Sequence, residues 1–312
     1  MDQTYRQQTL DNLARFRDFT STRETFLRNG DAPAVGLTFR NPDLAATYSR
    51  IADGGPAAFY SGRTARTIVD TVQHPSLVPG STRNARPGLM TTTDLAGYRS
   101  KERAPTVSSD RGLQVYGMGP PSSGGSTVGE ALNILEGYQM AGLPRDGALH
   151  YYLEASCYSF ADRGAYLGDP DYVYVPLKGL LSDGFATKRR SLITDQAAQS
   201  PVAPGDPTPY DGGSGTVTYT FTIEQTGGSA ITVPNHGFLL NNELTDFEPV
   251  PDLANSPTGG KRPRSSKSPT IIMEDREPIL VLGSPGGSTI ITTVFQILIN
   301  DLDFGMTLPQ AR

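Results

Sequence analysis

In RNPDLAATYSRIADGG, Leu44, Tyr48 and Ile51 recur at three- and four-residue spacing, which predicts a helix that Pro42 opens and Gly54-Gly55 closes. The same period predicts a polar, weakly anchored helix over residues 2–18, a helix from about Arg63 to Val72, and helices in STVGEALNILEGY and DGFATKRRSLI. From Ala148 to Leu167, the residues Leu149, Leu153, Cys157 and Phe160 fall on one face of a long helix, so Cys157 reads as a small buried hydrophobe. A Pro/Gly/Ser loop spans 75–92, LQVYGM (113–118) reads as a short strand, and PPSSGG as a tight turn. Residues 196–215 are so rich in Pro, Gly, Ser and Ala that they predict an exposed, mobile segment. Beyond it the character changes from helical to extended, with strands expected in VTYTFTIE (217–224), FLLNN (238–242), TIIM (270–273) and ILVLG (279–283). A final helix in IITTVFQILIND turns Ile291, Val294, Phe295 and Leu298 to one side. Helices, then strands, then a closing helix define an α+β class with sheet layered against helix.

The 312 residues suit one large compact unit, and the 34 glycines and 25 prolines imply many turns. With 27 basic and 32 acidic side chains the net charge is -5, which is the wrong sign for a nucleic-acid binder. The single cysteine excludes an internal disulfide, and three scattered histidines offer no zinc spacing. No run approaches the roughly 18 apolar residues of a membrane helix.

Chemistry can sit in three places. GSPGGSTIITTV (283–294) sets glycines between a strand and a helix, where backbone N–H groups of Gly286 and Gly287 can hold a negative oxygen; a plain glycine turn is the alternative. LLNNELTDF carries Glu243 and Asp246, which either converge on an ammonium group or form a solvated helix start. GGKRPRSSKSPT joins Lys261, Arg262, Arg264 and Lys267 to Ser265 and Ser266; the cations read as a solvated loop or, more weakly, a localisation signal, and the hydroxyls can bond a carboxylate. The threonine-rich run after Gly215 adds a fourth possibility: a chain cut before Thr216 would give that residue an α-amine able to act as base for its own hydroxyl. Alternate threonines are otherwise ordinary strand formers.

These pieces occur in order with GPAAFYSG, TTTDLAGYRSKERAP, GMGPPSSGG, ALNILEGY and FADRGAYLGDPDYVYVP, and over about residues 43 to 305 the sequence resembles the gamma-glutamyltransferases, also called glutathione hydrolases. The resemblance implies an N-terminal-nucleophile hydrolase fold, an αββα sandwich, from a precursor that cuts itself into large and small subunits. It implies that Thr216 is the nucleophile and Thr220 its hydrogen-bonding partner. Gly286 and Gly287 would form the oxyanion hole, Glu243 and Asp246 bind the substrate α-amine, and Ser265 and Ser266 its α-carboxylate. No cofactor is implied. The implied partners are glutathione and other γ-glutamyl compounds, acceptor amino acids or peptides, and the two subunits in a heterodimer; an exported location also follows.

On that resemblance, residues 1–215 correspond to the C-terminal part of the large-subunit region and 216–312 to the N-terminal part of the small-subunit region, making one incomplete domain. The arginine that clamps the α-carboxylate in the family falls outside the matched stretch. The family's small subunit opens with Thr-Thr-His and has a strand and a turn that are absent here. Thr216 matches the first threonine if that gap follows it, and the chain has no nucleophile if the gap precedes it. The sequence therefore reads as an enzyme cleaving γ-glutamyl amides or as an inactive remnant of one.

Overall fold

The computed structural model describes residues 1–212 and 224–311. Contacts divide the chain into two units, Met1–Ser100 with Thr222–Glu243, and Lys101–Phe221 with Leu244–Arg312.

The first unit is helical. The expected helix over 2–18 is two pieces, α1 (Gln3–Asp11) and α2 (Leu13–Asp18), followed by α3 (Thr20–Phe26). The break falls at Asn12, whose side-chain amide donates to the Gln8 carbonyl at 2.8 Å and competes with the helical ladder. Nor is this segment weakly anchored, since Phe16, Phe19 and Leu27 build a buried cluster with Ala230. Thr22 Oγ1 ties it further by donating to the Ala230 carbonyl at 2.8 Å. Helix α4 (Pro42–Gly54) starts and stops as expected: the Asn41 side chain accepts from Leu44 N–H at 2.9 Å, and Gly55 takes φ 64°. Its buried side chain is Thr47, which donates to the His236 carbonyl at 3.0 Å, whereas Tyr48 is exposed. Helices α5 (Ala57–Tyr60), α6 (Gly62–Gln73) and α7 (Thr92–Gly97) follow. The stretch expected as a strand at 238–242 is one arm of a tight antiparallel hairpin, bridged at Thr232 and Leu239.

The second unit is built on one antiparallel sheet, in the order β1 (Thr106–Asp110), β2 (Leu113–Gly117), β3 (Thr270–Glu274) and β4 (Glu277–Leu282). Strand β1 was not read from the sequence. Two hairpins turn on residue pairs with positive φ, Arg111-Gly112 and Asp275-Arg276, the conformation that matches strand twist. One face of the sheet carries α8 (Gly124–Leu135), and α9 (Arg145–Tyr166), α11 (Asp183–Arg190) and α12 (Thr289–Leu302) pack against α8, with α10 (Leu177–Leu180) and the terminal α13 (Leu308–Ala311) also in this unit. Every residue of α8 is buried, which makes it the central helix. Val115, Ile272 and Leu280 point from the sheet into this core, where Ile291, Val294, Phe295 and Leu298 meet them as expected. On the opposite face Val107, Ile271, Ile279 and Val281 are exposed. The described residues contain this one sheet, and residues 217–223 of the expected strand VTYTFTIE lie outside them.

Helix α9 buries Ala148, Glu154, Ala155, Tyr158, Ser159 and Asp162, while Leu149, Leu153 and Cys157 are exposed. The packed stripe is chosen by small Ala155 and by buried polar groups: Asp162 pairs with Arg189 at 2.9 Å, and the guanidinium lies 4.6 Å from the Tyr158 ring centroid. Burial, reinforced by Asp162, holds the Glu130 carboxyl well above the usual carboxylate range. The described part of the segment 196–215 is exposed in places but firmly tethered. Ala198 N–H donates to Glu154 at 2.8 Å, Arg189 to the Ala203 carbonyl at 3.0 Å, Gly205 N–H to Asp162 at 2.6 Å, and Gly179 N–H to Asp211 at 3.0 Å. The partners lie on α9, α10 and α11, outside the segment, so local composition does not announce them.

At the β1–β2 turn, Arg111 is bracketed by Asp110, Asp303 and Glu136. Burial pushes the Asp110 carboxyl up to about 6; Arg111 opposes this, and Asp303 and Glu136 add to it. The folded state therefore binds the proton more tightly than the unfolded chain, so this contribution to stability is present below about pH 4 and is lost as pH rises through 6. Asp110→Asn is expected to flatten that loss, ~3 kcal/mol in full at about 1.4 kcal/mol per pKa unit, of which about 2 kcal/mol should show in urea melts compared at pH 4.5 and 7.

Among the described residues no helix is long and apolar enough to cross a membrane, and no cluster of acidic, His and Cys side chains is placed to hold a metal ion.

Candidate active site

The strand register brings three segments to one end of the sheet. Thr270, the first residue of β3, pairs with Gly117, the last of β2, and with Leu282, the last of β4. The Ser265–Ser268 strap therefore enters the sheet where the Gly119–Ser123 turn and the Gly283–Gly287 turn leave it.

The strap is seated by backbone bonds. Ser265 N–H donates to the Pro121 carbonyl at 3.1 Å, and the Ser265 carbonyl accepts from Ser123 N–H and Ser123 Oγ, both at 2.8 Å. Ser122 Oγ donates to the Lys267 carbonyl at 2.7 Å. This contact needs glycine at the start of α8, because a Cβ on Gly124 would stand 2.1 Å from the Lys267 carbonyl oxygen.

Of the two serine hydroxyls, Ser266 Oγ accepts from Arg163 Nη2 at 2.8 Å, while Arg163 Nε donates to Ser123 Oγ at 2.7 Å. Ser265 Oγ accepts from Lys267 N–H at 3.3 Å. Burial, with neighbouring Arg264 adding to it, lowers the Arg163 guanidinium to about 10 against the opposing pull of Glu248 and Asp246. It stays charged at neutral pH. Sequence reasoning did not single out Ser123 or Arg163, although both lie in quoted stretches, PPSSGG and FADRGAY. Their signal is spatial: only the fold brings α9 to the strap.

In the glycine turn, Gly286 has φ 136° and Gly287 φ 59°, both positive and costly for other residues. The Gly286 carbonyl accepts from Thr289 N–H at 3.2 Å and Thr289 Oγ1 at 2.7 Å, and the Gly287 carbonyl from Ile290 N–H at 3.2 Å. With their carbonyls turned into α12, both glycines are exposed, and among the described residues neither N–H has an acceptor. Two free, adjacent N–H groups ahead of a helix can take a developing oxyanion.

Glu243 and Asp246 begin and end one 3-10 turn, Glu243–Asp246, and the boundary between the two units falls inside it. Glu243 Oε1 is shielded from water with no hydrogen-bond partner among the described residues. The Asp246 carbonyl accepts from Asn255 Nδ2 at 2.7 Å. Thr216 and Thr220 lie outside the described residues. The structure thus gathers Ser265, Ser266, Gly286 and Gly287 at one end of the sheet, and Asp246 lies within electrostatic reach of the same Arg163 that holds Ser266.

This arrangement of sheet and helices is shared with solved N-terminal-nucleophile hydrolases. Cephalosporin acylase from Bacillus halodurans superimposes with a TM-score of 0.84 at 27% identity, over all of this chain and 57% of the acylase. Helicobacter pylori gamma-glutamyltranspeptidase matches with a TM-score of 0.60 at 30% identity, over 65% of this chain and 57% of its own. The family model for gamma-glutamyltranspeptidase matches residues 1–312, and the chain belongs to that family. The glutathione hydrolase proenzyme of Bacillus subtilis (strain 168) is 38% identical over 322 residues, 94% of this chain and 53% of the relative. Its counterpart in Escherichia coli (strain K12) is 37% identical, covering 93% and 53%. The chain spans about half the length of the curated relatives it matches.

Proposed function

We propose that this chain carries the catalytic centre of an enzyme that cleaves γ-glutamyl amides, glutathione among them, and passes the γ-glutamyl group to water or to an acceptor amino acid or peptide. The observation that carries the reading is the register at Thr270, which sets the serine strap and the free glycine N–H groups at the same end of the sheet. In this reading the precursor cuts itself before Thr216, giving pieces 1–215 and 216–312 that stay together as two subunits. The α-amine of Thr216 takes the proton of its own hydroxyl, and Oγ attacks the γ-amide carbonyl. Gly286 and Gly287 N–H groups hold the oxyanion, and Thr220 positions the nucleophile by hydrogen bonding. The amine leaves with a proton, and water or an acceptor amine then releases the glutamyl ester. Glu243 and Asp246 receive the substrate ammonium, and Ser265 and Ser266 its α-carboxylate. The reaction needs no cofactor, because the electrophile is an ordinary amide and the nucleophile belongs to the chain.

A second reading is supported by the likeness of this whole chain to part of the cephalosporin acylase and by 33% identity to the Acylase ACY 1 proenzyme of Pseudomonas sp. (strain SE83): hydrolysis of an acyl side chain from a cephalosporin. Incubating the purified chain with a γ-glutamyl anilide and, separately, with an acylated cephalosporin separates the two. Self-cleavage with anilide release supports the first reading, and self-cleavage with cephalosporin deacylation alone supports the second. An uncut, silent chain identifies an inactive remnant and overturns both.

A further inference from the structure

Arg264 stands immediately before the serine strap and is almost fully buried, an uncommon setting for a guanidinium. Three separate elements hold it. Its Nη1 donates to the carbonyls of Arg163 at 3.0 Å and Leu167 at 3.3 Å, at the end of α9. Its Nη2 donates to Glu248 Oε1 at 2.6 Å. Its backbone N–H donates to Asn255 Oδ1 at 2.7 Å, and the amide of the same Asn255 side chain donates to the Asp246 carbonyl at 2.7 Å. Glu248 N–H completes the loop by donating to the Asn255 carbonyl at 3.1 Å. Arg264 is therefore bonded on one side to the segment bearing Asp246 and is joined covalently on the other to Ser265, which Ser266 follows.

We propose that Arg264, held by Glu248, is a positioning residue that fixes the spacing between the ammonium-binding carboxylate of Asp246 and the carboxylate-binding hydroxyls of Ser265 and Ser266. This rests on the functional reading above. An α-amino acid presents its ammonium and carboxylate on a single carbon, so their separation is fixed. A site that grips both must hold its two halves at a matching distance, and misplacement by a fraction of an ångström loses the benefit of simultaneous contact. The bonds of Arg264 and Asn255 supply that rigidity without touching substrate.

The test compares the full wild-type chain with Arg264→Lys, Arg264→Met and Glu248→Gln on two anilides. One is γ-glutamyl; the other is glutaryl, which has the carboxylate but no α-amine. For Arg264→Met the expected result is a KM for the γ-glutamyl anilide raised about tenfold, with kcat changed less than about threefold and the glutaryl anilide little affected. Arg264→Lys and Glu248→Gln should fall between. An equal loss on both anilides, or no change on either, overturns the proposal.

Hydrogen exchange supplies a readout that does not need turnover. In Arg264→Met, faster exchange confined to residues 244–248 and 264–268, with α8 and α12 unchanged, supports the positioning role. Unchanged exchange there, or acceleration throughout the unit, overturns it. A wild-type chain that is silent toward both anilides defeats the functional reading, and the exchange result then decides the positioning role by itself.

Discussion

The Thr216→Ala chain is expected to remain a single 33.4 kDa species and to release no anilide, a loss on the order of 10³-fold or more. In the proposed mechanism one hydroxyl serves twice, first in the cut that exposes the new terminus and then in attack on substrate, so its removal stops both events. Thr216→Ser keeps an α-amine and a hydroxyl and should be cut and turn over at a reduced rate. Thr220→Ala leaves the nucleophile in place and should slow both steps without abolishing them. Turnover by the cut wild type should rise as pH passes the ordinary α-amine range near 7.7 to 8, because only the free amine can accept the proton. Denaturing gels and initial rates on the same samples check each point. A Thr216→Ala chain that still cuts and turns over would place the nucleophile elsewhere.

Gly124→Ala should cost the fold on the order of 4 kcal/mol or prevent it from forming. The added Cβ would lie 2.1 Å from the Lys267 carbonyl oxygen and 2.3 Å from Ser268 Oγ, at a fully buried position. The nearest obstacle is backbone, which cannot swing aside, so either the first turn of α8 or the strap must move. Moving the strap breaks the Ser123–Ser265 and Ser122–Lys267 bonds, so the variant should lose any γ-glutamyl turnover even where it folds. Gly164→Ala in α9 is the matched control: nothing lies within 4 Å of its Cβ, and the helix interior should gain about 0.5 to 1 kcal/mol. Urea unfolding of the two variants at one pH should move the midpoint in opposite directions.

The contrast between these glycines also shows what the sequence could reveal. Elements whose apolar residues face the core were legible, as in α12 with Ile291, Val294, Phe295 and Leu298, and in the strands TIIM and ILVLG. Helix α9 was misread because its packed side holds Glu154, Ser159 and Asp162, which a hydrophobic period assigns to solvent. Strand β1, TVSSD, was missed for the same reason: it buries Thr106, Ser108 and Asp110. The tethering of residues 196–212 depends on donors and acceptors on other helices, α9, α10 and α11. At the candidate site the glycines, acids and serines were recognisable from motifs. Ser123, Arg163 and the positioning bonds of Arg264 appeared only when the β2–β3 register and the end of α9 brought separate segments of chain to one place.

The misread face of α9 leaves the only thiol of the chain at the surface. A maleimide dye would therefore attach at Cys157 alone, one per polypeptide, giving a fluorescent reporter whose location is known without mutagenesis. Burial of the sulfur on one side, with the Glu154 charge close by, raises the thiol above its ordinary range, so the coupling should go faster in mildly alkaline buffer than at pH 7.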